Sequence, residues 1–163
     1  MNSINSSNWI SSFLSEVQDH LKTAKKLKKA GNHRSALSNF QRAGEKAIKA
    51  FVLHLGVQRN KTRIHATEKI LNEVPPSRRD STWTKLRNLA PQIDNWGGYS
   101  DTTEKGIKYD WNPCKTSVQV GYGEALTPRV PIPEAIPSKQ LEKYQRVTTE
   151  VVNIVFQNLR QYR

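Results

Sequence analysis

The sequence predicts an all-α fold, an up-and-down antiparallel bundle of about five helices in one domain over residues 1–163. Two observations carry that prediction. Apolar residues recur three and four positions apart over several long stretches. The breaks between the early stretches are short and hold Gly, Asn or Pro, so successive helices must fold back on one another. The length suits a single domain with a sizeable core.

Each element has its own signal. Trp9, Ile10, Phe13, Leu14, Val17, Leu21, Ala24 and Leu27 form one helical face, with Ser6, Ser7 and Asn8 as candidate N-caps. Residues 1–7 read as a flexible tail with no positive charge and no apolar core, hence no signal peptide. Gly31-Asn32 stops the first helix. A second helix over 36–55 carries a wide apolar stripe rich in Ala and Gly, which lets neighbours approach closely and marks it as the central helix. A shorter third helix is expected over 65–73, ended by Pro75-Pro76, and a fourth over 81–94, with Pro91 late enough to kink or end it. Ser138 opens a last helix with Leu141, Tyr144, Val147, Val151, Ile154, Val155 and Leu159 on one face. Residues 95–137 form a long insertion. Within it, residues 107–111 and 117–122 alternate around Asn112-Pro113 as a small β-hairpin would, with disorder as the competing reading.

Composition removes several function classes. Hydrophobic residues make up 36% and charged residues 25%, which fits neither a disordered chain nor a membrane protein. No apolar run approaches the roughly 20 residues that span a bilayer, and a cytoplasmic location is the default. Cys114 is the one cysteine, so no internal disulfide or cysteine zinc cage can form. A lone Cys of this kind is usually inert. His20, His33, His54 and His65 show no metal-ligand spacing, so no metal and no cofactor is expected. Gly97-Gly98 and Gly121-x-Gly123 lack the context of a phosphate loop.

The net charge of +12 is unevenly placed. Residues 1–90 hold 17 Lys and Arg against 6 Asp and Glu, a net of +11, while residues 91–163 hold 9 against 8. Such a field attracts polyanions, and a nucleic acid gains further from released counterions. An acidic protein partner and a merely solubilising surface are the other readings, and the five lysines between 22 and 29 fit a solvated face.

Two constellations can carry chemistry. Gln41, Glu45 and Lys49 stand four apart on the second helix with Arg42 and Lys46 beside them, either as part of a binding face or as a paired surface ladder. Arg59-Asn60-Lys61-Thr62-Arg63-Ile64-His65 forms a polar turn entering the third helix. An imidazole moves protons near neutral pH, a guanidinium stabilises charge on phosphorus, and a helix N-terminus with Lys61 favours the same anion. On spacing alone, a His opening a helix in a basic loop is more often just a polar cap.

The run Gly31-Asn32-His33-Arg34-Ser35-Ala36, followed by Phe40-Gln41-Arg42-Ala43-Gly44-Glu45-Lys46-Ala47-Ile48-Lys49-Ala50-Phe51 and then by His65, resembles the HEPN signature. The resemblance covers about residues 8–94 and 138–160. It implies a helical bundle, commonly a homodimer. Many members are metal-independent ribonucleases using an Arg and a His four to six residues apart, several of them toxins with a small nucleotidyltransferase-type antitoxin. Carried over, this makes Arg59, Asn60 and His65 the catalytic candidates. Arg42, Lys46, Lys49, Lys61 and Arg63 are candidates for binding RNA or a nucleotide. Non-catalytic members that bind nucleotide or RNA imply the alternative function. The hairpin 31–55 also resembles one tetratricopeptide unit, a protein-interaction reading, but no second copy follows.

Overall fold

The computed structural model describes residues 3–94, 100–102, 108–110 and 138–163. Helix α1 spans Ser3–Lys29, and helix α2, His33–His54, folds back along it. Helix α1 already begins at Ser3, so the expected tail is largely helical and Ser6, Ser7 and Asn8 lie inside the helix. The reversal uses Gly31 at φ +82°, a conformation that costs an L-residue about 1–2 kcal/mol. Asn32 caps the new helix by accepting from the Ser35 amide.

Helix α2 packs against every other helix of the described bundle, as its small-residue stripe predicts. These are α1, α3 (Thr67–Asn72), α4 (Ser81–Asp94) and α5 (Ser138–Asn158). Phe40, Ala43, Ala47, Ile48 and Phe51 are fully enclosed. Burying one side chain of Phe or Ile size contributes about 1.5–3 kcal/mol. At Gly44 the helices fit closely, since a Cβ there would stand 2.9 Å from the Ile93 Cδ1 atom. A second small cluster, Ala24, Ala36, Leu37, Phe40, Leu141 and Tyr144, closes the end of the bundle near the α1–α2 turn. Thr148 of α5 donates to the Phe40 carbonyl at 3.1 Å. Burial pushes the Tyr144 phenol up to about 12, so it is neutral at any ordinary pH.

Helix α2 closes at Gly56, φ +93°, and Arg78 donates to the Leu55 carbonyl at 2.8 Å. A short three-ten turn, Arg59–Thr62, then leads towards α3. Helix α3 starts at Thr67, so His65 lies in the bend before it rather than at its first position. The Asp94 carboxylate accepts from the amides of Thr67 and Glu68 at 2.7 and 3.0 Å. The N-terminus expected to attract a substrate anion is thus already occupied by a carboxylate of the protein itself. Pro91 does not end α4, which continues to Asp94, and Gln41 of α2 donates to the Ile93 carbonyl in that last turn at 3.0 Å.

Strands β1 (Ser100–Thr102) and β2 (Lys108–Asp110) pair antiparallel, Ser100 opposite Asp110. Part of the expected first strand is therefore extended, but its partner lies upstream of it. The expected second strand, 117–122, lies outside the described residues, as do Cys114 and the two glycine pairs. Among the described residues no helix is long and apolar enough to cross a membrane.

The C-terminus returns to the start of the chain. The Tyr162 carbonyl accepts from Ser11, and the Tyr162 hydroxyl lies 3.0 Å from Nδ1 of His54, the two rings meeting edge-on. Burial pushes the His54 pKa below the ordinary imidazole value, with Asp80 acting in the opposite direction. The unfolded chain therefore takes up a proton at about pH 6.5 that the folded chain refuses. Stability falls as pH drops from about 6.5 towards the folded value. Urea denaturation between pH 5 and 8 will show this loss in the wild type. His54→Gln, which keeps a polar group and does not titrate, will lose less over the same range.

Candidate functional site

Glu45 lies near the middle of α2, 6% exposed, and two nitrogen donors converge on it. Lys49, one turn on and 4% exposed, pairs with Oε2 at 3.5 Å. His65 brings Nδ1 to 2.8 Å from Oε1, with its own side chain 44% exposed. A carboxylate only accepts, so Nδ1 carries the hydrogen and the acid–base capacity of the ring belongs to Nε2. The bend 63–66 makes this possible. It follows the three-ten turn and precedes a helix pinned by Asp94, which turns His65 back onto α2.

Gln41, Glu45 and Lys49 therefore do not form a surface ladder. All three are buried, Gln41 on the end of α4, Lys49 on Glu45, and Glu45 on both Lys49 and His65. Burial is the first cause that pushes the Lys49 pKa down. Glu45 pulls it back up, and the charges of Lys46 and Arg59 lower it further.

Arg59 approaches the same stretch of α2 from the other end of the turn. Its guanidinium carbon lies 4.3 Å from the centroid of the Trp9 ring and 5.3 Å from that of Phe13, a cation–π stack contributed by α1. It donates to Thr62 Oγ1 at 3.2 Å, and Thr62 in turn donates to the Arg59 carbonyl at 2.7 Å. Its Nε is buried with no hydrogen-bond partner among the described residues. Burial and then Arg63 push its pKa down, against Glu16. A guanidinium starts so high that it remains charged at neutral pH.

The remaining candidates separate. Lys46 pairs with Glu16 at 3.5 Å and lies over Phe13 at 5.3 Å, on the Arg59 side of α2. Lys61 reaches Glu73 at 3.9 Å, an exposed pair worth little. Arg42, Asn60 and Arg63 are exposed. Sequence reasoning missed Trp9 and Phe13 as the rings beneath Arg59, although their spacing of four with Glu16 three further on was a legible signal. It placed Glu45 on the α2 stripe but gave it no catalytic or binding role. No group of three or more potential metal ligands occurs among the described residues. A groove along α5, lined by Lys28, Lys85, Glu142, Gln145 and Arg146, includes none of these residues.

A family model described as HEPN domain matches residues 10–96, more than half of the chain. The chain belongs to the HEPN domain family. Comparison with curated proteins and with solved structures finds no match. The matched span holds α2, the Arg59–Thr62 turn, His65, α3 and α4, so the whole Glu45 cluster lies within the HEPN region. Trp9 stands one residue before it.

The buried pair makes a clear energetic prediction for this HEPN domain. Glu45→Leu leaves Lys49 enclosed without its counter-charge and will lower stability by about 3–5 kcal/mol. Adding Lys49→Met to the same chain replaces the pair with apolar side chains and will recover most of the loss. Urea denaturation of the two variants beside wild type measures both steps.

Proposed function

We propose that this HEPN domain protein is RNA-directed and acts as a metal-independent endoribonuclease, with His65 and Arg59 as its working pair. The observation that carries the reading is the 2.8 Å bond from His65 to the buried carboxylate of Glu45. That bond fixes the ring's tautomer and orientation and stabilises the imidazolium once it forms.

In this reading Nε2 of His65 takes the proton of a ribose 2′-hydroxyl, and the 2′ oxygen attacks the adjoining phosphorus. The bond to the 5′ oxygen breaks, and the imidazolium or water returns a proton to the departing oxygen. The products are a 2′,3′-cyclic phosphate and a 5′-hydroxyl. Arg59 stabilises the phosphorane charge, and Asn60 follows it as a polar neighbour of the phosphate. Arg42, Lys46, Lys61 and Arg63 attract the strand. Lys49 serves through Glu45, with which it pairs, instead of contacting RNA.

A second reading has its own support. The Arg59 guanidinium is stacked and bonded to Thr62, which suits a preset binding group in a non-catalytic RNA or nucleotide module. A homodimer and a small nucleotidyltransferase-type antitoxin are the proposed protein partners.

Wild type, His65→Ala and Arg59→Ala, incubated with mixed RNA in a metal chelator, decide between the two. Cleavage by wild type with cyclic phosphate ends is expected. His65→Ala will reduce the rate by about 10²–10⁴-fold and Arg59→Ala by about 10²–10³-fold. Intact RNA after long incubation with wild type, together with salt-sensitive RNA or nucleotide binding, selects the non-catalytic reading. Sedimentation at micromolar concentration is expected to show a dimer, and a monomer alone rejects that partner.

A further inference from the structure

Trp9 is the large apolar side chain that stands exposed among the described residues, with 41% of its surface open. It is not an isolated surface residue. Arg59 lies against its ring at 4.3 Å, and Phe13 tilts beside it at 5.7 Å with an interplanar angle of 35°. Lys46 extends the cationic border over Phe13, and Lys61 and Arg63 are exposed in the adjoining turn. Arg59 needs only one face of the indole, yet a wide aromatic surface remains in water beside several positive charges. Anions alone would be held by the charges and have no use for the ring. A single-stranded nucleic acid offers a phosphate and a bare π surface in each nucleotide, and exposed aromatics interleaved with cations suit that combination.

We infer that Trp9 is a base-stacking platform. An unpaired nucleobase of single-stranded RNA stacks on the Trp9–Arg59 layer while a neighbouring phosphate lies against the surrounding cations. The inference rests on the RNA-directed reading and narrows its substrate to single strands, because bases inside a duplex present no free face.

The test measures binding of a labelled, 2′-O-methylated single-stranded oligoribonucleotide, which cannot be cut at its 2′ oxygen, by fluorescence anisotropy in chelator. The same strand as a duplex and inorganic polyphosphate, a polyanion without bases, serve as comparisons. Trp9→Ala will weaken single-strand binding roughly 5- to 100-fold and leave polyphosphate binding within about twofold. Trp9→Phe will keep most of the affinity. Trp9→Leu, which preserves apolar packing without a π face, will behave like Trp9→Ala and serves in its place if the alanine variant melts. Equal weakening of RNA and polyphosphate means that Trp9 only positions Arg59, and overturns the platform. Unchanged RNA affinity overturns it too, and unchanged affinity with a shift from dimer to monomer assigns the ring to a second copy. If Arg59→Ala weakens RNA binding and the Trp9 variants do not, the platform fails and the RNA-directed reading stands. If wild type binds no RNA, both fail.

Discussion

A carboxylate almost wholly removed from water must be matched by positive charge, because the cost of an unpaired buried ion exceeds what most single contacts supply. Glu45 imposes that requirement at the centre of the bundle. Lys49 answers it from the same helix, one turn on. His65 adds a hydrogen bond from twenty residues further along the chain, and so ties the loop after α2 back to the middle of α2. Much of the surrounding polar architecture keeps this arrangement in register. The last turn of α4 offers Ile93 O to Gln41 and Asp94 to the start of α3, so one helix end anchors both the stripe on α2 and the bend that carries His65.

The arrangement couples stability to chemistry. A neutral core at these positions would be easier to bury, and pairs of this kind replaced by apolar residues often lose nothing. What Glu45 adds is direction: it selects which ring nitrogen of His65 holds the hydrogen. Lys49 supplies that carboxylate's counter-charge, while burial first, and then the positive charges nearby, lower its own proton affinity. Arg59 belongs to the same electrostatic group while resting on α1 through Trp9 and Phe13. Helices α1 and α2 with the segment between α2 and α3 thus supply the whole cluster, and α5 enters it only by completing the core.

The fold was legible because periodicity and breaks are local properties. Helix α2 at the centre, the Gly31-Asn32 reversal, α4 over 81–94 and the apolar face of α5 follow from residue spacing alone. What spacing did not supply was depth. Gln41, Glu45 and Lys49 look like an exposed ladder because their types are polar, yet the end of α4 meets Gln41 and His65 meets Glu45, and the stripe is buried. Pro91 reads as a stop, yet the helix runs on to Asp94 where α2 takes up the Ile93 carbonyl. The start of α3 reads as an anion site, but Asp94, 27 residues distant from Thr67, reaches it first. Each of these differences comes from a long-range partner that no local window contains.

The same reasoning explains why Arg59 and His65 differ in character despite their closeness in sequence. His65 is held by one strong directional bond to a buried acid, which leaves the ring half exposed and fixed in orientation. Arg59 is held by ring faces and a hydroxyl, contacts that tolerate sliding, and its buried Nε has no partner of its own. A buried donor without an acceptor is a standing cost. A phosphate oxygen brought alongside the guanidinium would give that donor a partner through a small shift of the side chain over the Trp9 ring. In the proposed reaction the rigid imidazole and the adjustable guanidinium are complementary: one would set where a proton is exchanged, and the other would follow the charge as it develops.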